Sequence, residues 1–375
     1  MTPVAGHRRS TTLNGICPYF TMFPLAFPLN ILDLHGQDGQ RVLDPFCGRG
    51  TTNFASRLFG LESVGIDSSP VAAAIADAKL IRPSVGRIVQ CANRILEEIV
   101  IPQDVPAGEF WTLAYHRDVL MTLCRLREGL LHNCRSDARK ALRAIVMGAL
   151  HGPRTKTLPS YFSNQCQRTY APKPAYAVKY WRKHGLEPQP VDVLGLIARR
   201  ATRYYGSPIP SVPSRVILGD STRIATFRHL KRGAKFDWVI TSPPYYGMRT
   251  YIPDQWLRAW FVGGPAWVDY SNDGQIQHSS PDEFAHQLRS VWDNVGSVCE
   301  PGAQLVLRFG AIHDRKVMPL ELAMKSLQGT AWVVKDHRLA GTADCGRRQA
   351  LHFSSRPRQA LDEYDVWAVW PGDSS

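Results

Sequence analysis

Seven short runs rich in β-branched and other apolar residues punctuate the chain, at 41–43, 62–66, 215–218, 236–241, 304–309, 331–334 and 363–370. Each ends in turn chemistry and is too short for a helix, so each is predicted to be a buried strand. Apolar positions at helical spacing lie between them, for example over 51–58 and 70–80. Strands alternating with helices predict a mostly parallel sheet covered on both faces. The last run follows a long loop instead of a helix, which predicts that it enters the sheet antiparallel.

One interval is too long for a simple crossover. Between Leu80 and Arg215 the pattern is helical, as over 115–131 and 138–150, with breaks at Pro172 and Pro174. The proline-rich stretch 206–213 closes the interval as a stiff linker. The reading is a discontinuous domain, 1–82 and 211–375, carrying a mostly helical insertion, 83–210.

Charge marks the insertion out. The chain carries 45 Lys and Arg against 32 Asp and Glu, a net +13. Residues 131–205 alone hold 14 basic and three acidic residues, a net +11, so the remainder is nearly neutral. A neutral body with one strongly basic segment is the footprint of a polyanionic partner. Within it, Asn164, Gln165 and Arg168 are suited to base edges, and Lys173, Lys179, Arg182 and Lys183 to phosphates.

With 44% hydrophobic and 21% charged residues, the chain can build a sizeable core, which excludes wholesale disorder. No run reaches the ~18 apolar residues of a membrane span. His7, Arg8 and Arg9 have no apolar stretch behind them, so a cytoplasmic protein without a membrane partner is expected. The eight cysteines show no metal-site spacing and read as buried thiols; no metal is expected.

The first strand runs into Asp44-Pro45-Phe46-Cys47-Gly48-Arg49-Gly50-Thr51-Thr52, a glycine turn that opens a helix. Gly48 and Gly50 allow a sharp turn and close approach of a ligand. The second strand ends in Asp67-Ser68, where a carboxylate is placed to accept from ribose hydroxyls. Asn53 stands where a dinucleotide fingerprint has its third glycine, and Asp44 would repel a pyrophosphate, so a cationic ligand fits the turn better. The strand 236–241 stops at Ser242-Pro243-Pro244-Tyr245, whose prolines lock the backbone with carbonyls facing outward.

Together these motifs resemble the DNA methyltransferases that modify exocyclic amino groups of bases. The resemblance implies a Rossmann-like α/β fold with a seven-stranded, mostly parallel sheet, and S-adenosylmethionine as cofactor. Residues 44–52 match the family's cofactor loop and 242–245 its catalytic tetrapeptide. Asp67, with Ser68, and Asp220, with Ser221, match the strand ends that hold ribose and adenine. Tyr19, Thr21 and Phe23 match a further cofactor motif that packs around the methionine moiety. The order of cofactor loop, insertion and tetrapeptide resembles the class in which target recognition lies between those motifs. One departure is plain: the insertion precedes the strand ending at Asp220, whereas the family pattern places that strand soon after the second.

The resemblance further implies that Ser242 and the Pro243 carbonyl accept from the target amine, that Tyr245 stacks on the base, and that the nucleotide leaves the duplex. Tyr251 is a candidate for the base pocket. Members with Ser before Pro-Pro-Tyr mostly act on the 4-amino group of cytosine, so that amine is expected. Adenine, an RNA base and a catalytically inactive DNA-binding role remain the alternatives. Double-stranded DNA is the expected partner, with a cognate restriction endonuclease as a functional partner and a nucleoid-associated location.

Overall fold

The computed structural model describes residues 11–18, 23–153, 158–166, 173–247, 251–270, 276, 279–310, 317–342 and 362–372. Among them, seven strands form one sheet: β1 (Arg41–Asp44), β2 (Glu62–Asp67), β3 (Ser214–Leu218), β4 (Phe236–Thr241), β5 (Cys299–Phe309), β6 (Val333–Thr342) and β7 (Asp362–Val369). Their spatial order is β3-β2-β1-β4-β5-β7-β6. The first five are parallel, and β7 runs antiparallel to both β5 and β6, as the long loop before it predicts. This is the Rossmann-like α/β sheet expected from the sequence.

The central strands read as continuous apolar runs because both faces of the sheet are covered. Val42, Trp238, Ile240 and Val306 face one cluster with Phe27, Ile31 and Leu32 of α1 (Ala26–His35). Leu43, Val239, Leu305 and Leu307 face the other, packed on α12 (Pro281–Gly296) and α13 (Pro319–Leu327). The glycine turn leads into α2 (Thr51–Leu58), and β2 leads into α3 (Pro70–Ala78). Ser69 caps α3 by accepting from the Ala72 N–H, with Pro70 at the first helical position, a standard helix-start pattern.

Among the described residues, six helices fill the insertion: α4 (Val85–Glu98), α5 (Glu109–Ala114), α6 (Arg117–His132), α7 (Asp137–Ala149), α8 (Pro174–Lys183) and α9 (Val193–Tyr205). They share one apolar cluster with Phe54 and Leu58 of α2 and Val71, Ala74 and Ile75 of α3. The same cluster takes in Trp256 and Trp260 of α11 (Trp256–Phe261), which follows the four-residue helix α10 (Tyr251–Asp254). The insertion thus packs onto the helical layer of the sheet. The departure in strand order leaves the topology intact: after about 130 residues the chain returns to pair β3 with β2 in parallel register, Asp67 opposite Leu218.

Two strand boundaries differ from the expected ones. β5 begins at Cys299, five residues early, because it continues through Glu300-Pro301-Gly302 with a register shift against β4. β6 extends to Thr342 through Lys335, Asp336, His337 and Arg338. It is the edge strand, where charged side chains discourage further pairing. No helix among the described residues is long and apolar enough to cross a membrane.

The glycine turn is tightly packed against α3. Gly50 has φ +73°, and a Cβ there would meet Ala76 Cβ at 2.8 Å and Cα at 2.9 Å. Gly50→Ala adds a left-handed-backbone penalty to a steric one, so a loss of about 2–4 kcal/mol is expected. Urea unfolding of the variant against wild type measures it.

Candidate functional site: the carboxyl edge between β1 and β4

Parallel strands place the ends of β1, β2, β3 and β4 along one edge of the sheet. Asp44, Asp67, Asp220 and Ser242, which span almost 200 residues of sequence, therefore line the same crevice. The chain order reverses between β1 and β4, the switch point at which open α/β sheets bind ligands.

Asp44 joins the two motifs. It is fully buried, and its Oδ1 accepts from the Thr241 hydroxyl at 2.6 Å and from the Phe46 N–H at 3.1 Å. Thr241 immediately precedes the Ser-Pro-Pro-Tyr corner, so one carboxylate couples the glycine turn to it. Thr52 adds a second tie, donating to the Ile240 carbonyl at 3.2 Å. The Asp44 Oδ2 is buried with no hydrogen-bond partner among the described residues. Desolvation outweighs the neighbouring Thr241 and Thr52 hydroxyls and the Phe46 N–H, and raises the Asp44 carboxyl from 3.8 to about 6.

Around the turn, Gly48 (φ +51°) has open space where a Cβ would stand, which leaves room for a ligand. Asp67 keeps a solvent-facing edge. Its Oδ2 accepts from the Gly48 N–H at 2.9 Å and its Oδ1 from the Ser69 N–H at 2.8 Å. Desolvation raises Asp67 to about 6 as well, against those two bonds. Asp220 accepts from the Thr222 hydroxyl and N–H and lies 3.3 Å from Arg223 Nε. Ser221 is buried and donates to the Pro45 carbonyl at 2.7 Å, tying the loop after β3 to the glycine turn. Pro45 and Thr51 are buried, Phe46 packs edge-on against Trp292, and Ser68 is exposed. Phe23 packs edge-on to Phe27 beside β1. Tyr19 and Thr21 lie outside the described residues.

At the corner, Ser242 is half-buried. Neither its hydroxyl nor the Pro243 carbonyl has a hydrogen-bond partner among the described residues. Two acceptors thus stand unengaged at the end of β4, with Pro244 between them and Tyr245. Tyr245 is placed differently from the stacking expectation. Its ring is only 7% exposed, packs against Phe309, and its hydroxyl donates to Glu363 Oε1 at 2.5 Å. In this arrangement the ring braces the corner, and only a small edge faces outward.

The insertion residues separate into two sets. Asn164 is 2% exposed and donates to the carbonyls of Leu113 and Leu186, so it braces the fold from inside and is not free to read a base edge. Gln165 is half-buried, and its carbonyl accepts from the Trp181 indole. Lys173 pairs with Asp254 at 3.3 Å and Arg182 with Glu109. Lys179, Arg182 and Lys183 are exposed on α8. Arg168 lies outside the described residues, as does the side chain of Tyr251, which opens α10. Sequence reasoning missed Thr241 and Glu363. The first is visible beside the tetrapeptide, but the second is 118 residues from its partner and carries no local signal.

The raised carboxyls predict a pH dependence. Both folded-state values lie above the unfolded ones, so the folded protein holds more protons between about pH 4 and 6. Their contribution to stability is full below about pH 4 and is lost as pH rises through 6. For buried Asp44 the span is about 3 kcal/mol; partly solvated Asp67 adds less. In the ligand-free protein Asp44→Asn is expected to flatten this slope. Urea titrations of wild type and variant at pH 4.5 and 7.5 read it directly.

Comparison with known proteins bears on the same residues. A model of the N6/N4 DNA methylase family matches residues 1–78. The Type II methyltransferase M.MjaII of Methanocaldococcus jannaschii is 38% identical over 72 residues, 19% of this chain and 14% of that protein. The chain thus aligns with a small part of that relative. Among solved structures, the rRNA methyltransferase aviRa of Streptomyces viridochromogenes has 13% identity and a TM-score of 0.35, covering 96% of this chain and 92% of that one. A SAM-dependent methyltransferase of Methanosarcina mazei has 10% identity and a TM-score of 0.36, covering 94% and 99%. The fold is read from the sheet order itself and not from these distant likenesses. The cofactor that goes with a DNA methylase is S-adenosylmethionine. The match to the N6/N4 DNA methylase family model thus covers the segment that holds the glycine turn and Asp67.

Proposed function

We propose that the protein transfers a methyl group from S-adenosylmethionine to an exocyclic amino group of a base in double-stranded DNA, with the 4-amino group of cytosine as the preferred target. The observation that carries this reading is the pair of unengaged acceptors, Ser242 Oγ and the Pro243 carbonyl, on the strand next to the glycine turn.

The residues fit the cofactor. Gly48 leaves room for close approach, and the orphaned Asp44 Oδ2 suits a cationic donor such as the ammonium group of the methionine moiety. Asp67 and Asp220 retain lone pairs for ribose hydroxyls and the adenine amine. S-adenosylmethionine supplies an electrophilic sulfonium methyl. The protein's task is the nucleophile: an aryl amine is weak because its lone pair is delocalised into the ring. Ser242 Oγ and the Pro243 carbonyl accept its two hydrogens, favour a pyramidal nitrogen and hold the lone pair toward the turn. The target base cannot reach that corner from within a duplex, so the nucleotide flips out.

The exposed cations of α8 supply phosphate contacts for such a substrate, which keeps the division between residues 83–210 and the rest as a division of labour. A cognate restriction endonuclease and a nucleoid location follow from this reading.

Incubation with labelled cofactor and duplex DNA, followed by mass spectrometry of the nucleosides, tests the assignment. N4-methylcytosine is expected; N6-methyladenine would transfer the mechanism to adenine, and label only in RNA would overturn the DNA substrate. Ser242→Ala is expected to reduce turnover on the order of a hundredfold while cofactor binding is retained. Lys179→Glu with Lys183→Glu is expected to weaken DNA binding and lower the salt slope by about 0.9 for each phosphate no longer neutralised, read by fluorescence anisotropy across a salt series.

A further inference from the structure

Arg49 stands between the two glycines of the turn and is 5% exposed. Its Nη1 makes one long hydrogen bond, 3.4 Å, to the Cys17 carbonyl, and its Nε has no partner among the described residues. Lys79, fully buried, donates to Asn14 Oδ1 at 2.8 Å. Among the described residues, neither side chain lies within 4.0 Å of a carboxylate. Burial lowers the Arg49 guanidinium to about 10 and pushes the Lys79 ammonium well down. Arg258 is itself 2% exposed and donates to the Pro18 carbonyl.

Buried cations without a counter-ion are costly. Other buried guanidinium groups are more fully engaged. Arg57 spends its guanidinium on the carbonyls of Lys79, Ile81 and Pro210, and Arg308 forms a two-pronged pair with Asp365. Arg49 has neither arrangement. Its position supplies the reason. It belongs to the turn that would grip the cofactor and touches residue 17, just before the segment of Tyr19 and Thr21. On the same turn, Asp44 presents an orphaned carboxylate oxygen. Two unpaired buried groups of opposite sign match the two charges of an α-amino acid.

We infer that Arg49 is the counter-ion of the α-carboxylate of the cofactor's methionine moiety, with Asp44 facing the ammonium group. The inference rests on the cofactor reading above. It makes the zwitterionic end of the ligand, and not only its nucleoside, a source of selectivity.

Isothermal titration calorimetry of the full chain with S-adenosylmethionine and with decarboxylated S-adenosylmethionine tests it without DNA or turnover. Wild type is expected to bind the carboxylate-bearing ligand at least about tenfold more tightly, the scale of a charge-assisted fork. Arg49→Met is expected to erase that ratio while leaving affinity for the decarboxylated ligand unchanged. Arg49→Lys, which keeps the charge and loses the fork, is expected to fall between. The melting temperature of ligand-free Arg49→Met is expected to hold or rise, since an unpaired buried charge is removed.

Equal affinity of wild type for the two ligands would overturn the inference. A ratio that survives Arg49→Met, or a loss of affinity for both ligands together with a lower melting temperature, would do the same and assign Arg49 to holding the N-terminal segment. Wild type that binds neither ligand would instead overturn the cofactor reading itself. Should Arg49→Met fail to fold, the wild-type ratio and Arg49→Lys still decide the matter.

Discussion

A single buried hydrogen bond, from the Thr241 hydroxyl to Asp44, sits where the architecture and the chemistry meet. The two residues are 197 apart in sequence and end neighbouring parallel strands. From β1 the chain winds outward through β2 and β3, then returns to lay β4 on the other side of β1. That reversal opens a crevice in which a strand-end loop from each half faces the other. Without a tie across it, the glycine turn and the Ser-Pro-Pro-Tyr corner would be free to shift relative to each other. Asp44 supplies the tie at the cost of its own solvation, which is why it is held so far above an ordinary carboxylate.

The corner is braced from two further directions. Behind it, Tyr245 is clamped between Phe309 and Glu363, the latter brought in by the antiparallel strand β7. Beyond it, α11 inserts Trp256 and Trp260 among Phe110 and Trp111 of the insertion, and Phe110 in turn packs against Trp181 of α8. A rigid aromatic train thus runs from the basic helix α8 to the element that follows the tetrapeptide. Order imposed on α8 would pass to α11 through these packed rings.

What the sequence disclosed, and what it hid, follows from the kind of interaction involved. Residues 41–44, 62–67 and 236–241 are largely buried and centre on short apolar runs, so the central strands and the motifs at their ends were legible. The edge strand β6 was not: past Val334 it reads Lys-Asp-His-Arg, which protects an edge and carries no apolar period. Pro301 and Gly302 likewise disguised the first half of β5 as a turn. Asn164 carries a side chain apt for reading adenine, yet burial and two backbone carbonyls claim it, and only the fold reveals that competition. Glu363 and Lys79 are legible only through partners that lie far away in the chain.

The apolar clusters on both faces of the sheet agree with the local pattern of the central strands, which leaves one arrangement favoured over its competitors. Buried polar atoms without partners occur across the described residues, Arg41 Nε, Arg57 Nη2, Arg143 Nε and Arg289 Nε among them, and at the carboxyl edge they are Asp44 Oδ2 and Arg49 Nε, near the unengaged Ser242 Oγ and Pro243 carbonyl. Each costs on the order of 1–3 kcal/mol. What sets the edge apart is the combination, opposite charges on one strand-end turn and neutral acceptors on the next, which makes sense if a ligand completes them. Stability and occupancy are then coupled: a ligand bearing both charges relieves two penalties at once, whereas one bearing a single charge leaves the other penalty in place.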